Sequence, residues 1–175
     1  SLASVSAVLW DLTKSVNEFQ WNFEHQQAAD KVKELIASLD SLQYFDGSKP
    51  VNIPVDSSMR GLGATLLQSK GPVEYRGKLL SETERRYSNV EREMLSIVYG
   101  LEKFHYYAYG RHVTIETDHK LLESIFKKHL SSAPPRIARM MLHIQKYDVD
   151  IKYAPEKEIP LADALSRLNP AIQIR

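Results

Sequence analysis

The order of short apolar segments and turn residues constrains the fold of this chain more than any other feature of its sequence. From Val51 onward, three strand-like segments follow one another directly: VNIPVDSS, ATLLQS and VEYRGKLL. The first is expected to end at Asp56, a turn with two glycines is expected over 57–63, and Gly71-Pro72 marks the next turn. Three short strands joined by tight turns predict an antiparallel meander.

Pro54 stands within the first of these segments, where a proline removes one hydrogen bond from the sheet ladder. Two local structures are compatible with a proline at this point. Either a β-bulge lies at this position, or the strand begins only at Val55.

After the meander, helical and strand-like segments alternate. The best-defined helix is predicted over 87–107, because an apolar stripe runs along it, and Gly110 is expected to follow its end. HVTIETD and DVDIKYAP are predicted strands, and HKLLESIFKK, RIARMMLHIQKY and LADALSRL are predicted helices. The order β-β-β-α-β-α-α-β-α predicts an α/β fold in which helices cover a mixed sheet. The apolar stripe consists of Val90, Met94, Ile97, Leu101 and Phe104.

The first 49 residues differ in pattern from the rest of the chain. Asn22 is a suitable N-cap, Glu24 falls in the first turn, and apolar residues then recur at helical spacing up to Leu39. This pattern predicts one amphipathic helix that ends before the turn signal Phe45-Asp46-Gly47-Ser48. We therefore expect an N-terminal helical appendage over 1–49, a main domain over 50–170 and a short tail over 171–175.

The composition excludes several classes of protein. The chain has no cysteine, which rules out disulfides, thiolate zinc sites and cysteine nucleophiles. It has no apolar run of about 18 residues, so no membrane partner is expected. Its net charge is +1, so a nucleic acid would have to be bound by local basic patches. The first residues, SLASVSAVLW, lack the basic start of a signal peptide and are expected to belong inside a longer protein.

Four acidic residues stand in contexts that suit a metal site. Asp56 and Asp118 fall at the ends of predicted strands, and Glu93 and Asp163 fall on predicted helices. Carboxylates without a histidine or cysteine cluster suit Mg²⁺ or Mn²⁺ better than zinc. Each residue also has an ordinary structural interpretation. Asp56 could be a turn residue, Asp118 a helix cap, and Asp163 an ion-pair partner of Arg167.

Glu91 is an alternative to Glu93, because the two lie on the same predicted helix only two positions apart. Residues two apart on a helix point about 200° away from each other, so only one of them can face a shared site. Each lies at an edge of the apolar stripe, and the helical periodicity alone therefore leaves both open.

Four long motifs occur in the chain in this order: DSSMRGLGATLLQ, PVEYRGKLLSETERRYSNVEREMLSIVYGLEKFHYYAYGRHVTIETDHKLL, PPRIARMMLHIQKYDVDIKY and ADALSRL. Together they resemble the ribonuclease H region of gypsy-type LTR retrotransposon Pol polyproteins. Residues 19–45 resemble the connection segment that precedes this region in the reverse transcriptase. The resemblance extends over nearly the whole chain, so the appendage is interpreted as a remnant of the connection segment.

The resemblance implies a ribonuclease H-like fold with a mixed five-stranded sheet. It also implies an endonuclease that cuts the RNA strand of RNA–DNA hybrids with two Mg²⁺ ions, for which Mn²⁺ can substitute. By the same resemblance, Asp56, Glu93, Asp118 and Asp163 are the catalytic and metal-binding residues. Glu93 is preferred to Glu91 here, because Met-Leu-Ser-Ile follows it and the family pattern is Glu-Leu-x-x-Ile.

The chain departs from the family pattern in several loops and turns. The family usually has Asp-Ala-Ser where this chain has Asp56-Ser57-Ser58. The family's Gly-Lys-x-Asn before the last motif is replaced by Glu156-Lys157-Glu158-Ile159. These differences leave the four carboxylates in place and concern the geometry around them.

Basic residues in and near the motifs are candidates for binding the phosphates of the hybrid, although each could instead belong to a solvated basic face. Further implied partners are the polymerase portion of the same Pol polyprotein and a second reverse transcriptase subunit in a dimer. The implied location is the cytoplasm, within virus-like particles. The alternative function is a catalytically silent ribonuclease H-like module of a domesticated retroelement protein, which binds nucleic acid or protein. The basic candidates are Arg76, Lys78, Arg85, Arg86, Arg136 and Arg139.

Overall fold

The computed structural model describes residues 12, 19–37, 42–69, 71–126 and 133–155. The helices in these ranges are α1 (Phe23–Ala37), α2 (Glu82–Arg85), α3 (Asn89–Lys103), α4 (His105–Ala108), α5 (Lys120–Phe126) and α6 (Pro135–Ile144). The strands are β1 (Val51–Ser57), β2 (Gly61–Gln68), β3 (Gly71–Leu79), β4 (His112–Thr117) and β5 (Asp148–Tyr153).

All five strands belong to one mixed sheet, in the order β3-β2-β1-β4-β5. β1, β2 and β3 pair antiparallel as the predicted meander, whereas β1 with β4 and β4 with β5 pair in parallel. Parallel neighbours need long connections, and these carry α2 to α4 before β4 and then α5 and α6 before β5. The predicted α/β architecture, a mixed five-stranded sheet flanked by helices, is confirmed.

Pro54 lies inside β1, where it pairs with Glu116 of the parallel neighbour β4. On the other side of β1, the pairs with β2 resume at Val55 in the same register that they have at Asn52. Both expectations for this proline are wrong, because β1 begins at Val51 and shows no register shift against β2. β1 has no pair with β2 at Pro54 itself, and the regular pairs continue on both sides of it. The sheet therefore tolerates the missing N–H donor of the proline without a bulge.

The turn after β1 is shorter than the glycine pattern predicts. Gly61 and Gly63 both lie in β2, which leaves only residues 58–60 between the strands. Gly63 stands opposite Asp56 on one side and opposite Gly77 of β3 on the other. The prediction of a turn over 57–63 is therefore wrong at both ends.

The helix predicted over 87–107 is divided into α3 and the shorter α4. Ser88 and Glu91 form a capping box, in which each side chain accepts a hydrogen bond from the other's backbone N–H, so α3 begins directly after Ser88. Phe104 separates α3 from α4. Gly110 has a φ of 74°, the left-handed conformation that glycine tolerates after a helix end.

The apolar stripe of α3 packs against β1 and β2 and forms the centre of the core. Gly100 allows this helix to approach the sheet closely. A Cβ at Gly100 would lie 3.2 Å from Ala64 Cβ, 3.2 Å from Val55 Cγ1 and 3.4 Å from Ile53 Cγ2. The buried members of the stripe are Met94, Ile97, Leu101 and Phe104.

Most of the remaining predicted elements are present with shifted ends. β4, α5, α6 and β5 correspond to the predicted segments, and Asn22 Oδ1 accepts a hydrogen bond of 3.1 Å from the His25 N–H at the start of α1. The helix predicted over LADALSRL lies outside the described residues. Within the described ranges, no helix is long and apolar enough to cross a membrane.

Residues 43–49 attach the end of the appendage to the sheet. The Gln43 N–H donates to the Pro72 carbonyl at 2.7 Å, and Arg111 Nη1 donates to the Gly47 carbonyl at 2.6 Å. The rings of Phe45 and Tyr107 lie 4.8 Å apart. These contacts tie the segment to the main domain, and the boundary between residues 49 and 50 stays a prediction.

Gly100→Leu is expected to lower the free energy of unfolding by about 1–3 kcal/mol or more, because the new side chain has no room against the sheet. Denaturant unfolding measures this change. Glu102→Leu, an exposed position on the same helix, is the matched control and is expected to stay within about 0.5 kcal/mol of the unsubstituted protein. Equal stability of the two variants would contradict the close approach described for α3.

Candidate metal centre

Three of the four predicted acidic residues meet at one end of the sheet, where two inner strands terminate. Asp56 lies near the end of β1, Asp118 directly follows β4, and Glu93 lies on α3. Because β1 and β4 are parallel neighbours, their carboxyl ends lie at the same end of the sheet, and α3 packs against β1. One carboxylate oxygen from each of Asp56, Glu93 and Asp118 lies within 4.8 Å of the other two.

Glu93 is the most enclosed of the three carboxylates, with 3% of its surface exposed. Its Oε1 accepts a hydrogen bond of 2.6 Å from Ser57 Oγ, at the end of β1. Its Oε2 is buried and has no hydrogen-bond partner among the described residues. The contact with Ser57 was not predictable from helix or strand periodicity. Its only signal in the sequence is the departure at Ser57 from the Asp-Ala-Ser pattern that the resemblance implies.

The charge state of Glu93 reflects this enclosure. Burial raises the pKa of Glu93 to about 8, and the negative charges of Asp56 and Asp118 act in the same direction. The hydrogen bond from Ser57 and the nearby Arg92 guanidinium lower the pKa, but they do not offset the burial. Without a cation, the raised pKa therefore favours the protonated form of Glu93 at neutral pH.

Glu91 faces a different neighbour. Its side chain takes part in the capping box with Ser88, and its Oε1 accepts a hydrogen bond of 2.6 Å from Arg136 Nη1 on α6. The structure thus brings Glu93, and not Glu91, together with Asp56 and Asp118. The remaining predicted ligand, Asp163, lies outside the described residues.

The donor set fits a hard divalent cation. All three side chains offer carboxylate oxygens, which are the ligands that Mg²⁺ and Mn²⁺ prefer. Their mutual repulsion, together with the buried Oε2 of Glu93 that no described donor satisfies, would be relieved by a positive charge between them. The cluster can therefore hold a metal ion of this class.

The predicted phosphate-binding residues fall into two groups. On β3, Arg76 forms an ion pair with Glu74, and Lys78 Nζ lies 2.7 Å from Glu84 Oε1 and 5.9 Å from the centre of the Tyr99 ring. Arg85 and Arg86 on and after α2 are exposed, and Arg85 Nε donates to the Leu80 carbonyl at 3.1 Å.

The second group lies on α6. Arg136 bonds to Glu91 and stands 4.2 Å from the centre of the Tyr87 ring, and Arg139 Nε donates to the Pro135 carbonyl at 3.3 Å. Five of the six candidate cations contact an acceptor of the protein itself, namely Arg76, Lys78, Arg85, Arg136 and Arg139. Their role toward phosphates stays a prediction.

Comparisons with known proteins agree with one another. Residues 46–147 match the family described as the RNase H-like domain found in reverse transcriptase. The chain is 34% identical over 152 residues to the retrovirus-related Pol polyprotein from transposon gypsy of Drosophila melanogaster, which covers 86% of this chain and 14% of that protein. The chain thus spans about one seventh of the length of this relative.

Two solved structures have a similar fold at low sequence identity. A foamy viral protease–reverse transcriptase in complex with an RNA/DNA hybrid is 16% identical, with a TM-score of 0.63 over 87% of this chain and 22% of that chain. RNase H1 from the archaeon Halobacterium salinarum NRC-1 is 18% identical, with a TM-score of 0.54 over 66% of this chain and 93% of that chain.

The stability of the metal-free protein is expected to fall as the pH rises from about 4.5 to about 8. Glu93 has its pKa raised from 4.5 to about 8 by folding, so below this window it is protonated in both states and folding carries no penalty. Within the window, unfolding releases its proton, which favours the unfolded state. One such group changes the free energy of unfolding by on the order of 1 kcal/mol per pH unit. Denaturant unfolding in a chelating buffer measures this slope.

Glu93→Gln is the control, because glutamine cannot titrate, and its stability is expected to depend less on pH across the same window. Millimolar Mg²⁺ is expected to raise the melting temperature of the unsubstituted protein at pH 8 and not that of Glu93→Gln to the same extent. Identical pH profiles for the two proteins, or no thermal shift with Mg²⁺, would contradict this account of the site.

Proposed function

The chain belongs to the family of RNase H-like domains found in reverse transcriptase, and on this basis we propose that it is a ribonuclease H. It hydrolyses the RNA strand of RNA–DNA hybrids during reverse transcription of a retroelement. Asp56, Glu93, Asp118 and Asp163 hold two Mg²⁺ ions in this proposal, and Mn²⁺ can replace them. The observation that carries the proposal is the meeting of three carboxylates, two of them on buried residues, at the carboxyl ends of the inner strands β1 and β4.

The resemblance to gypsy-type Pol polyproteins and the prediction of a ribonuclease H-like fold are both confirmed. The chain covers only part of the relatives, so the partners of a whole Pol polyprotein belong to the proposal. They are the polymerase portion of the same polyprotein, with residues 1–49 as a connection segment, and a second reverse transcriptase subunit. We place the reaction in the cytoplasm, within virus-like particles.

Phosphodiester hydrolysis needs an activated water and a stabilised leaving oxygen, and two divalent ions supply both when they are bound. The task of the protein is to hold the carboxylates in place before the metal arrives. Asp56 is fixed by the β1–β2 ladder opposite Gly63, and Glu93 is fixed by α3 and by Ser57. Asp118 follows Thr117, whose carbonyl accepts the Ala154 N–H at 2.9 Å and is thereby tied to the chain after β5.

The hybrid is expected to lie over the carboxylates with its phosphates near the cations of β3 and α6. Arg76 and Lys78 stand two positions apart on β3, so their side chains share one face of the sheet. Both are balanced by a neighbouring glutamate in the free protein. A phosphate of the hybrid would replace these glutamates as the anionic partner of Arg76 and Lys78. Arg85, Arg136 and Arg139 are further candidates for binding phosphates.

Asp56→Asn is expected to abolish cleavage, because it removes one carboxylate charge from the cluster while keeping the shape of the side chain. The RNA strand of a labelled RNA–DNA hybrid is followed with Mg²⁺ or Mn²⁺. Loss of even an outer-shell partner of a metal ligand typically costs about 10- to 100-fold, so loss of a ligand should exceed about a hundredfold. Asp150→Asn, an exposed aspartate on β5, is the matched control and should cut at the unsubstituted rate.

Cleavage by the unsubstituted chain and Asp150→Asn alone would support the nuclease. Absence of cleavage by a folded chain would favour the alternative, a catalytically silent module. Binding of the uncut hybrid would then distinguish a nucleic-acid-binding module from a protein-interaction module.

Arg76→Ala is expected to weaken hybrid binding and to reduce the slope of log K against log salt by about one, because one phosphate contact is lost. Binding is measured with Ca²⁺ or without metal, so that the hybrid stays intact. Lys152→Ala on β5, at the opposite edge of the sheet, is the control and should leave the slope unchanged. Equal slopes in all three proteins would remove Arg76 from the substrate contacts.

A further inference from the structure

Ser57 is not among the site residues that the sequence motifs predict. It is the last residue of β1, and its pairing with Leu62 of β2 fixes its backbone. From there its Oγ donates the 2.6 Å hydrogen bond to Glu93 Oε1.

The two oxygens of Glu93 consequently have different surroundings. Oε1 is engaged by the hydroxyl of Ser57, whereas Oε2 is buried without a hydrogen-bond partner among the described residues. Oxygens of Asp56 and Asp118 lie within 4.8 Å of an oxygen of this carboxylate. Oε2 is therefore the oxygen of Glu93 that no described hydrogen-bond donor satisfies, and a cation between the three carboxylates would satisfy it.

We propose that Ser57 is a positioning residue that holds Glu93 as a one-oxygen metal ligand and so favours Mg²⁺ over Ca²⁺. The inference rests on the metal centre of the proposed function. Mg²⁺ requires near-octahedral geometry at about 2.0–2.1 Å, which one oxygen per carboxylate satisfies. Ca²⁺ accepts six to eight oxygens at about 2.3–2.6 Å and readily takes both oxygens of a carboxylate. Binding through both oxygens would bring the cation onto Oε1 as well, where the hydroxyl of Ser57 already donates, so this hydrogen bond favours binding through Oε2 alone.

Ser96 offers a matched comparison at the same glutamate. Its Oγ is buried and donates a 2.7 Å hydrogen bond to the backbone carbonyl of Glu93, one turn away on α3. Removing this hydroxyl disturbs the helix beside Glu93 without removing any contact of its carboxylate. A purely structural effect near Glu93 should therefore appear in Ser96→Ala as well as in a variant of Ser57.

The test measures binding of Mg²⁺ and of Ca²⁺ to the full chain without nucleic acid, by calorimetry and by the thermal shift that each ion produces. Ser57→Thr and Ser57→Val form the central pair, because they have the same shape and differ only in the hydroxyl. Ser57→Val, and likewise Ser57→Ala, should weaken Mg²⁺ binding about tenfold or more, as is typical for loss of a partner that orients a metal ligand. Ca²⁺ binding should change less, so the preference for Mg²⁺ falls. Ser57→Thr should keep the preference, and Ser96→Ala should keep it at a lower melting temperature.

An unchanged ratio of Mg²⁺ to Ca²⁺ affinity in folded Ser57→Val and Ser57→Ala would overturn the role of Ser57 while leaving the metal centre intact. If the unsubstituted chain binds neither ion, the metal centre fails and the role of Ser57 fails with it. An equal change of the ratio in Ser96→Ala would also overturn the proposal, because the effect would then come from general disturbance of α3.

Discussion

The close approach of α3 to the sheet determines where the acidic site can form. Gly100 lies seven residues after Glu93, which is about two helical turns, so both residues face the sheet on one side of α3. The absence of a side chain at Gly100 lets the helix rest on Ile53, Val55 and Ala64. Two turns earlier on α3, the same close packing against the sheet places the Glu93 carboxylate beside the hydroxyl of Ser57 at the end of β1. The hydrophobic core and the acidic site are thus two ends of one helix–sheet contact.

This packing stabilises the hydrophobic core and at the same time destabilises the ionised form of Glu93. Met94, Ile97, Leu101 and Phe104 are almost completely buried, and their burial favours the contact. The same contact encloses Glu93 beside two other carboxylates, where an ionised side chain is unfavourable. A fold that held its helix farther from the sheet would avoid this repulsion, but it would also separate Glu93 from Asp56 and Asp118. The unfavourable proximity is therefore part of what prepares the site for a cation.

Much of this organisation could be predicted from the sequence, because it follows from periodicity. The meander, the stripe of α3 and the alternation of β4 all have local patterns that survive in the structure. Glycine was misleading at Gly61 and Gly63, since the backbone freedom that suits a turn also suits a strand enclosed between neighbours. The choice between Glu91 and Glu93 needed the family pattern, because it depends on contacts with Ser57 and Arg136 from other elements. Such contacts between distant residues leave no periodic signal.

The parallel pairing of β1 with β4 has a consequence for how the chain acquires its shape during synthesis. The three strands of the meander and α3 are synthesised before β4. Val51 therefore has no partner on this side of β1 until Val113 has been made. Until β4 docks, β1 is an open edge of the sheet with apolar residues along it. Such edges invite pairing with other chains and aggregation. The arrival of β4 therefore completes the sheet and also covers the edge along which unfinished chains would associate.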